Sequence, residues 1–267
     1  MTRAVARGRA GRLALQAVLP LGLVSLWWWA SRGSSSYLNP PLAEVVDSLV
    51  DDWLSRAGSD LAPSLRRLGL GFLLAAVLGV VGGTLVGLSL RLRRVTHPVT
   101  EFVRSIPSPL LFPFALVLFG VGDDSKVALI ALGAVWPVLL NTADGVRGID
   151  PQVIDTARAL GIRGRARLGH VVLPAASPRI VAGLRIALSV ALLLMVVSEM
   201  QGGTDGLGYR IRAAQRSFDT AETYAGVLVI GVVGLAVNAA FLVAERRLMR
   251  WHRGARDRLD GTASALG

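Results

Sequence analysis

The chain contains no cysteine, which excludes a disulfide framework, a thiol nucleophile and a thiolate metal site. Its three histidines, His97, His170 and His252, lie far apart without ligand spacing and read as solvated or loop residues, so no metal site is expected. Lys126 is the only lysine, and no glycine-rich run precedes it. The chain therefore lacks a phosphate-cradling loop and cannot be its own ATPase. No serine, histidine and acid group together, and no carboxylate pair stands out as a dyad, so no catalytic residue is assigned. Aromatics make up 6% of the chain and scarcely interleave with the arginines, which flank apolar segments instead of lining one surface. Despite a net charge of +11, nucleic acid is not an expected partner.

Apolar surface is abundant: 52% of residues are hydrophobic and mean hydropathy is +0.54. A soluble domain of this length would not need so many long apolar runs, so the composition places the chain in lipid. A bilayer core takes about 20 apolar residues per helix. Six runs qualify: 13–30, 65–90, 99–119, 127–143, 180–200 and 224–244. The first follows Arg3, Arg7, Arg9 and Arg12 and fits a signal peptide as well, though its length and the Trp27-Trp28-Trp29 belt favour a retained anchor. The third carries Glu101 and Arg104 and is interrupted by Pro107, Pro109 and Pro113. Charge at the bilayer centre costs about 2.5–3.5 kcal/mol per residue, so its charged half belongs near the interface.

Parity decides whether that run crosses. With six crossings, Arg91, Arg93 and Arg94, the arginine-rich loop 147–179 and both termini are cytosolic. Glu44, Asp47, Asp51, Asp52, Asp60, Asp123 and Asp124 then lie outside, as the positive-inside rule asks. The expectation is an all-α integral membrane protein with six transmembrane helices. Residues 1–12 form a basic cytosolic N-terminus, and 13–62 an anchor with an external segment. Residues 63–245 form the core domain with a cytosolic loop at 145–178, and 246–267 a basic cytosolic tail. Segment 201–223, with Arg210, Arg212 and Arg216, runs against the charge trend without a charge-based account. Within 40–56, Leu42, Val45, Val46, Leu49, Val50 and Trp53 recur at helical spacing with acids opposite. That fits an amphipathic helix on the external face or, equally, a packed connector.

Polar residues within the runs carry two readings each. Glu199 lies at the outer end of its run, where water reaches it, and is either functional or simply solvated. Asn141 and Asn238 read as helix–helix hydrogen bonders, and Arg185 as snorkelling to the cytosolic interface. Gly79, Gly83 and Gly87, with Gly82 beside them, make a small-residue face for close packing within the chain or across a dimer. The prolines of the third run free backbone groups at membrane depth, which is tolerated only against protein or a water-filled cavity. Such breaks often border translocation paths, the reading preferred here to incidental kinking.

The loop between Asp150 and Pro174 has more order than a connector needs. Asp150-Pro151 starts a helix with a capping carboxylate and a proline at the first position, and Gly161 supplies a left-handed stop. Ile154, Ala157 and Leu160 fall on one face between them. A membrane protein that shows the cytosol a small capped helix is offering it to a partner.

That loop resembles a known pattern. Asp155-Thr156-Ala157, three residues, Gly161, nine residues, Val171-Val172-Leu173-Pro174 is similar to the Glu-Ala-Ala…Gly…Ile-x-Leu-Pro loop of ABC importer permease subunits, with Asp155 for the usual Glu and Thr156 for the first Ala. Arg104-Ser105-Ile106-Pro107 with Pro113 and Phe119-Gly120-Val121-Gly122 resembles the nitrate/sulfonate/taurine type. So do Ser64-Leu65-Arg66-Arg67 with Gly71-Phe72, Trp136-Pro137 to Asn141-Thr142, Gly183-Leu184-Arg185, and Glu199-Met200 leading to Gly206-Leu207-Gly208-Tyr209. The resemblance covers roughly 40–245. It implies a type I ABC importer permease fold in the cytoplasmic membrane of a bacterium, with a second permease copy as a homodimer. Two cytosolic ATPase subunits would bind the ATP, leaving this chain without a cofactor, and an external solute-binding protein would deliver the solute. ATPase coupling would fall to Asp155, Thr156, Ala157, Gly161, Leu173 and Pro174, with Ser177-Pro178 capping the return into the fifth span. The candidate path residues are Arg104, Pro107, Pro113, Asn141 and Glu199. The solute would be a sulfonate, taurine, nitrate or similar, with thiamine-precursor-like solutes still open. A secondary transporter, which needs no docking helix, and an intramembrane enzyme are the rival readings.

Overall fold

The computed structural model describes residues 18–34, 38–55 and 57–249, and every regular element among them is helical. The predicted N-terminal segment 1–12, the start of the first run and most of the basic tail lie outside the described residues. The helices are α1 (Val18–Ser31), α2 (Leu42–Ser48), α3 (Ala57–Leu88), α4 (Leu90–Ser105), α5 (Phe112–Phe119) and α6 (Asp123–Arg147). They continue with α7 (Pro151–Ala159), α8 (Gly164–Arg167), α9 (Leu173–Gly202), α10 (Leu207–Arg216) and α11 (Thr220–Leu248).

Four helical stretches are long and apolar enough to cross a membrane: Gly58–Leu88, Asp123–Arg147, Gly164–Gly202 and Thr220–Arg247. The third predicted run corresponds to a pair of segments, Leu90–Ser105 and Ser108–Phe119, bent by 93° at the prolines. Counted as one broken span, the pair raises the number to five; Val18–Ser31 is a shorter apolar helix. The bend has a local cause. Ile106 precedes Pro107, whose ring disfavours the helical conformation there, and Ile106 is extended at φ −83°, ψ 121°. Upstream, Ser89 is likewise extended and its hydroxyl caps α4 by accepting from the Leu92 N–H. The helix therefore stops at Leu88 and restarts at Leu90. The spans overrun the apolar runs of the sequence: the 31 residues of Gly58–Leu88 reach about 46 Å at 1.5 Å per residue, against a hydrocarbon core of about 30 Å. Their ends therefore carry charge into the interface.

The residues divide into two compact units. The larger comprises Ser59–Tyr209 with the described residues from Ile230 onward. Here α6 is the hub. Gly71, Ala75, Gly79, Gly83 and Gly87 repeat every four residues and form one stripe of α3. A Cβ at Gly71 would stand 2.6 Å from Ile130, at Gly79 2.6 Å from Val138, at Gly83 2.4 Å from the Leu139 carbonyl and at Gly87 2.8 Å from Val146. The stripe is thus a backbone-to-α6 contact within the chain. On the other side of α6, Gly183 of α9 abuts Asn141 and Pro137, and Gly133 takes the Leu194 side chain. Leu129, Ile130, Ala134, Val138, Ala187, Ala191, Leu194 and Met195 fill the core between. Lipid tails are as apolar as these side chains, so close packing by small residues carries the association.

The smaller unit comprises the described residues up to Gly58 with Arg210–Val229. The 40–56 segment forms α2 and a π-helical turn, Leu49–Leu54. Of its apolar stripe only Val45 and Trp53 are buried, while Val46 and Val50 are half-exposed. The Trp53 ring packs where Gly226 leaves room, its Nε1 donates to the Glu222 carbonyl, and the Arg210 guanidinium lies 4.4 Å from the ring centre. Arg210 Nε also donates to the Glu222 carboxylate at 2.8 Å. The basic stretch that charge alone left unexplained is therefore anchored at Arg210 by an ion pair and a ring, with Arg212 and Arg216 exposed.

Candidate coupling site

The Asp150 carboxylate accepts from the Gln152 N–H at 2.8 Å and starts α7, with Pro151 at the first turn. At the other end the Gly161 N–H donates to the Arg158 carbonyl and the Ile162 N–H to the Ala157 carbonyl, at 3.0 and 2.9 Å. These are the paired bonds of a Schellman close, and they require the left-handed φ of +71° that Gly161 adopts. Ile154 turns inward onto Val146, Val172 and Ala176, and Ala157 is buried. Leu160 was expected on the same face. Instead the helix ends one residue before it, and as the C-cap it is 72% exposed. Ala157, one of the residues to which ATPase coupling was assigned, is turned inside the chain. The outward face is Gln152, Val153, Thr156 and Ala159. Asp155 and Arg158 close an exposed ion pair at 2.9 Å, worth a few tenths of a kcal/mol in such a setting.

The return of the loop differs from the expectation that Ser177-Pro178 caps a new helix. Helix begins at Gly164 and runs through a π-helical turn, Leu168–Val172, into α9. Leu173 opens α9 with Pro174 in its first turn, Ser177 donates to the Pro174 carbonyl, and Pro178 sits inside the helix. Pro174 lacks an N–H, and the wider turn before it is where the ladder absorbs that loss.

Between α7 and the ends of α3, α4 and α6 lies a cavity of about 670 Å³. Helix α7 lines it with Pro151, Ile154, Asp155 and Arg158, the i, i+3, i+4, i+7 stripe of one face. This helix therefore has an outward face and a cavity face.

Glu199 was expected near water; it is fully buried. Its carboxylate accepts from the Ser64 hydroxyl at 2.8 Å, the Arg67 guanidinium at 2.9 Å and the Gly208 N–H at 3.0 Å. Arg67, itself buried, also reaches Asp123 at 2.6 Å and Asp205 at 2.5 Å, and Arg66 pairs with Asp123 from outside. The Leu207 N–H donates to the Ser64 hydroxyl. Gly206 sits at φ +100° directly over the Glu199 carboxylate, where a Cβ would stand 2.6 Å away. The cluster ties the 203–209 turn to α3 and the start of α6.

The candidate path residues are dispersed. Arg104 is half-exposed and pairs with Glu101 one turn earlier at 3.0 Å. Pro107 stands at the bend and Pro113 in the first turn of α5. Asn141 was expected to bond across helices; its amide donates to the Pro137 carbonyl of its own helix at 2.8 Å. Glu199 follows Gly183, the neighbour of Asn141, by 16 residues, about 24 Å of helix, so the two do not share a site. Arg185 reaches Glu245 of α11 at 2.5 Å instead of simply snorkelling. Asn238 is exposed on α11.

Residues 71–253 match the family described as the binding-protein-dependent transport system inner membrane component. A protein of Bacillus subtilis (strain 168) assigned to aliphatic sulfonates transport, SsuC, is 38% identical over 70% of this chain and 68% of its own. The taurine transport system permease protein TauC of Escherichia coli (strain K12) is 31% identical over 90% of this chain and 92% of its own. The nitrate import permease protein NrtB of Leptolyngbya laminosa is 30% identical over 81% of each. Among solved structures, a chain from inward-facing conformations of the MetNI methionine ABC transporter superposes with TM-score 0.54 at 22% identity. That likeness, over 71% of this chain and 97% of that one, is one of fold.

Proposed function

The chain belongs to the family of binding-protein-dependent transport inner membrane components, a multi-pass, non-catalytic permease subunit of an ABC importer, and on that premise we propose how it is built into its machine. It crosses the membrane six times with both termini cytosolic: α1, the α4–α5 pair taken as one broken span, and the four long helices. It works as a homodimer with two ATPase subunits that bind the ATP, so this chain carries no cofactor, and an external binding protein delivers the solute. The solute is a small anion or zwitterion such as a sulfonate, taurine or nitrate; the relatives' names, which also include a bicarbonate transport system permease, supply that class.

The carrying observation is α7, closed at both ends by its own caps and holding Val153, Thr156 and Leu160 toward solvent. A partner ATPase seats on that face, and Asp155, Thr156, Ala157, Gly161, Leu173 and Pro174 set its position. Ala157 acts from within, by fixing α7 on the span ends. ATP-driven closure pushes the two α7 helices together and switches access at the pore. Arg104, Pro107, Pro113 and Asn141 border the path along the broken span and its neighbours, and the Glu199 cluster holds its outer end. The test is purification of the tagged chain from its host in mild detergent. A stoichiometric ATPase subunit, lost in a Val153→Asp/Thr156→Arg variant that still inserts, is the expected result. A chain that arrives alone in every detergent, with nucleotide present, supports the secondary transporter instead.

A further inference from the structure

We propose that the cavity beneath α7 is a binding site for the headgroup of an acidic phospholipid. Four arginines line it, Arg93, Arg147, Arg158 and Arg167, against the single carboxylate of Asp155. Arg147 and Arg158 are each held by an aspartate three residues earlier, Asp144 and Asp155. Arg93 and Arg167 are half-buried, and neither side chain has a hydrogen-bonding or acidic partner among the described residues. Two guanidinium groups drawn partly out of water without counter-charges call for an anion, and their planar forks suit phosphate oxygens.

Size and position identify the carrier of that anion. The cavity, about 670 Å³, is far roomier than an inorganic oxyanion requires. Val86, Leu88 and Leu90 give it an apolar wall, so its occupant has an anionic head and an apolar body. Leu88 is the last residue of its span and Arg147 of another, so the cavity opens at the level where spans end and headgroups lie. A phospholipid there bridges Arg93 of α4 and Arg167 of α8 under the cavity face of α7, and its outward face stays free.

The experiment is native mass spectrometry of the full chain, with any subunit that accompanies it, after stepwise delipidation. Wild-type protein is expected to keep about one phosphatidylglycerol or cardiolipin per chain. Arg93→Gln/Arg167→Gln should lose occupancy roughly tenfold or more, the size of two missing charge-assisted contacts. Arg93→Lys/Arg167→Lys should retain part of it, and Arg91→Gln/Arg94→Gln, which removes two exposed charges of the same helix outside the cavity, should match wild type. Equal retention by the Arg93→Gln/Arg167→Gln variant overturns the proposal. So does full displacement of the lipid by millimolar inorganic phosphate or sulfate, which would make this a free-oxyanion site. Loss of the lipid whenever the ATPase subunit is bound would make the cavity part of that subunit's seat and overturn it as well.

Discussion

Gly161 has open space around the position of a Cβ, so the need for glycine there is conformational and not steric. An L residue at φ +71° costs roughly 1–2 kcal/mol, least for asparagine and most for a β-branched side chain. Gly161→Val is expected to abolish solute uptake while the chain still inserts, and Gly161→Asn to keep most of it; equal uptake by both would show that the Schellman close is not needed. Glu199 makes the opposite case, a residue whose surroundings are full. Truncating one partner of a buried ion pair costs about 3–5 kcal/mol because the other charge is left without its counter-ion. Arg67→Ala, which leaves the buried Glu199 without its paired cation, should lower thermal stability in detergent by that order. Glu199→Ala, which leaves Arg67 its Asp123 and Asp205 partners, should cost less, and the double variant should lose less than the sum. Additive losses would show that the two do not act as a pair.

The helices of the core meet through glycine, and the contacts rank the positions. Gly83→Ala would drive a Cβ to 2.4 Å of the Leu139 carbonyl, and Gly69→Ala on the same helix meets nothing within 4 Å. The first should lower the yield of folded protein and the second leave it unchanged, as read by size-exclusion profiles in detergent. At this level the sequence was most legible where the cause is local. Asp150-Pro151 and Gly161 mark the ends of α7 because caps are made by near neighbours, and Pro107 marks the bend because a proline acts on the residue before it. The sequence was least legible where partners are distant. Nothing local shows that Ser64, Arg67, Asp123 and Asp205 would close around Glu199, so burial reversed the reading of a water-reached acid. Leu160, by contrast, leaves the α7 face for a local reason, because the Gly161 close ends the helix one residue before it.

For the assembled protein, the lack of cysteine in this chain is an experimental advantage, because any introduced thiol is the chain's own single one. With six spans and cytosolic termini, a thiol at Asp51 should react with an impermeant maleimide from outside intact cells, and one at Thr156 only after the membrane is opened. Labelling of both from the same side would exclude that topology. The same thiol at Thr156 gives the most direct reading of the central claim, that α7 is the seat of an ATPase. Cross-linked in membranes that contain the whole assembly, Thr156→Cys is expected to join the chain to its ATPase subunit in high yield, with a yield that changes on adding ATP. A thiol at the buried Ala157, one residue along, should give little product. Cross-links at neither position, or equal cross-links at both regardless of nucleotide, would contradict the account.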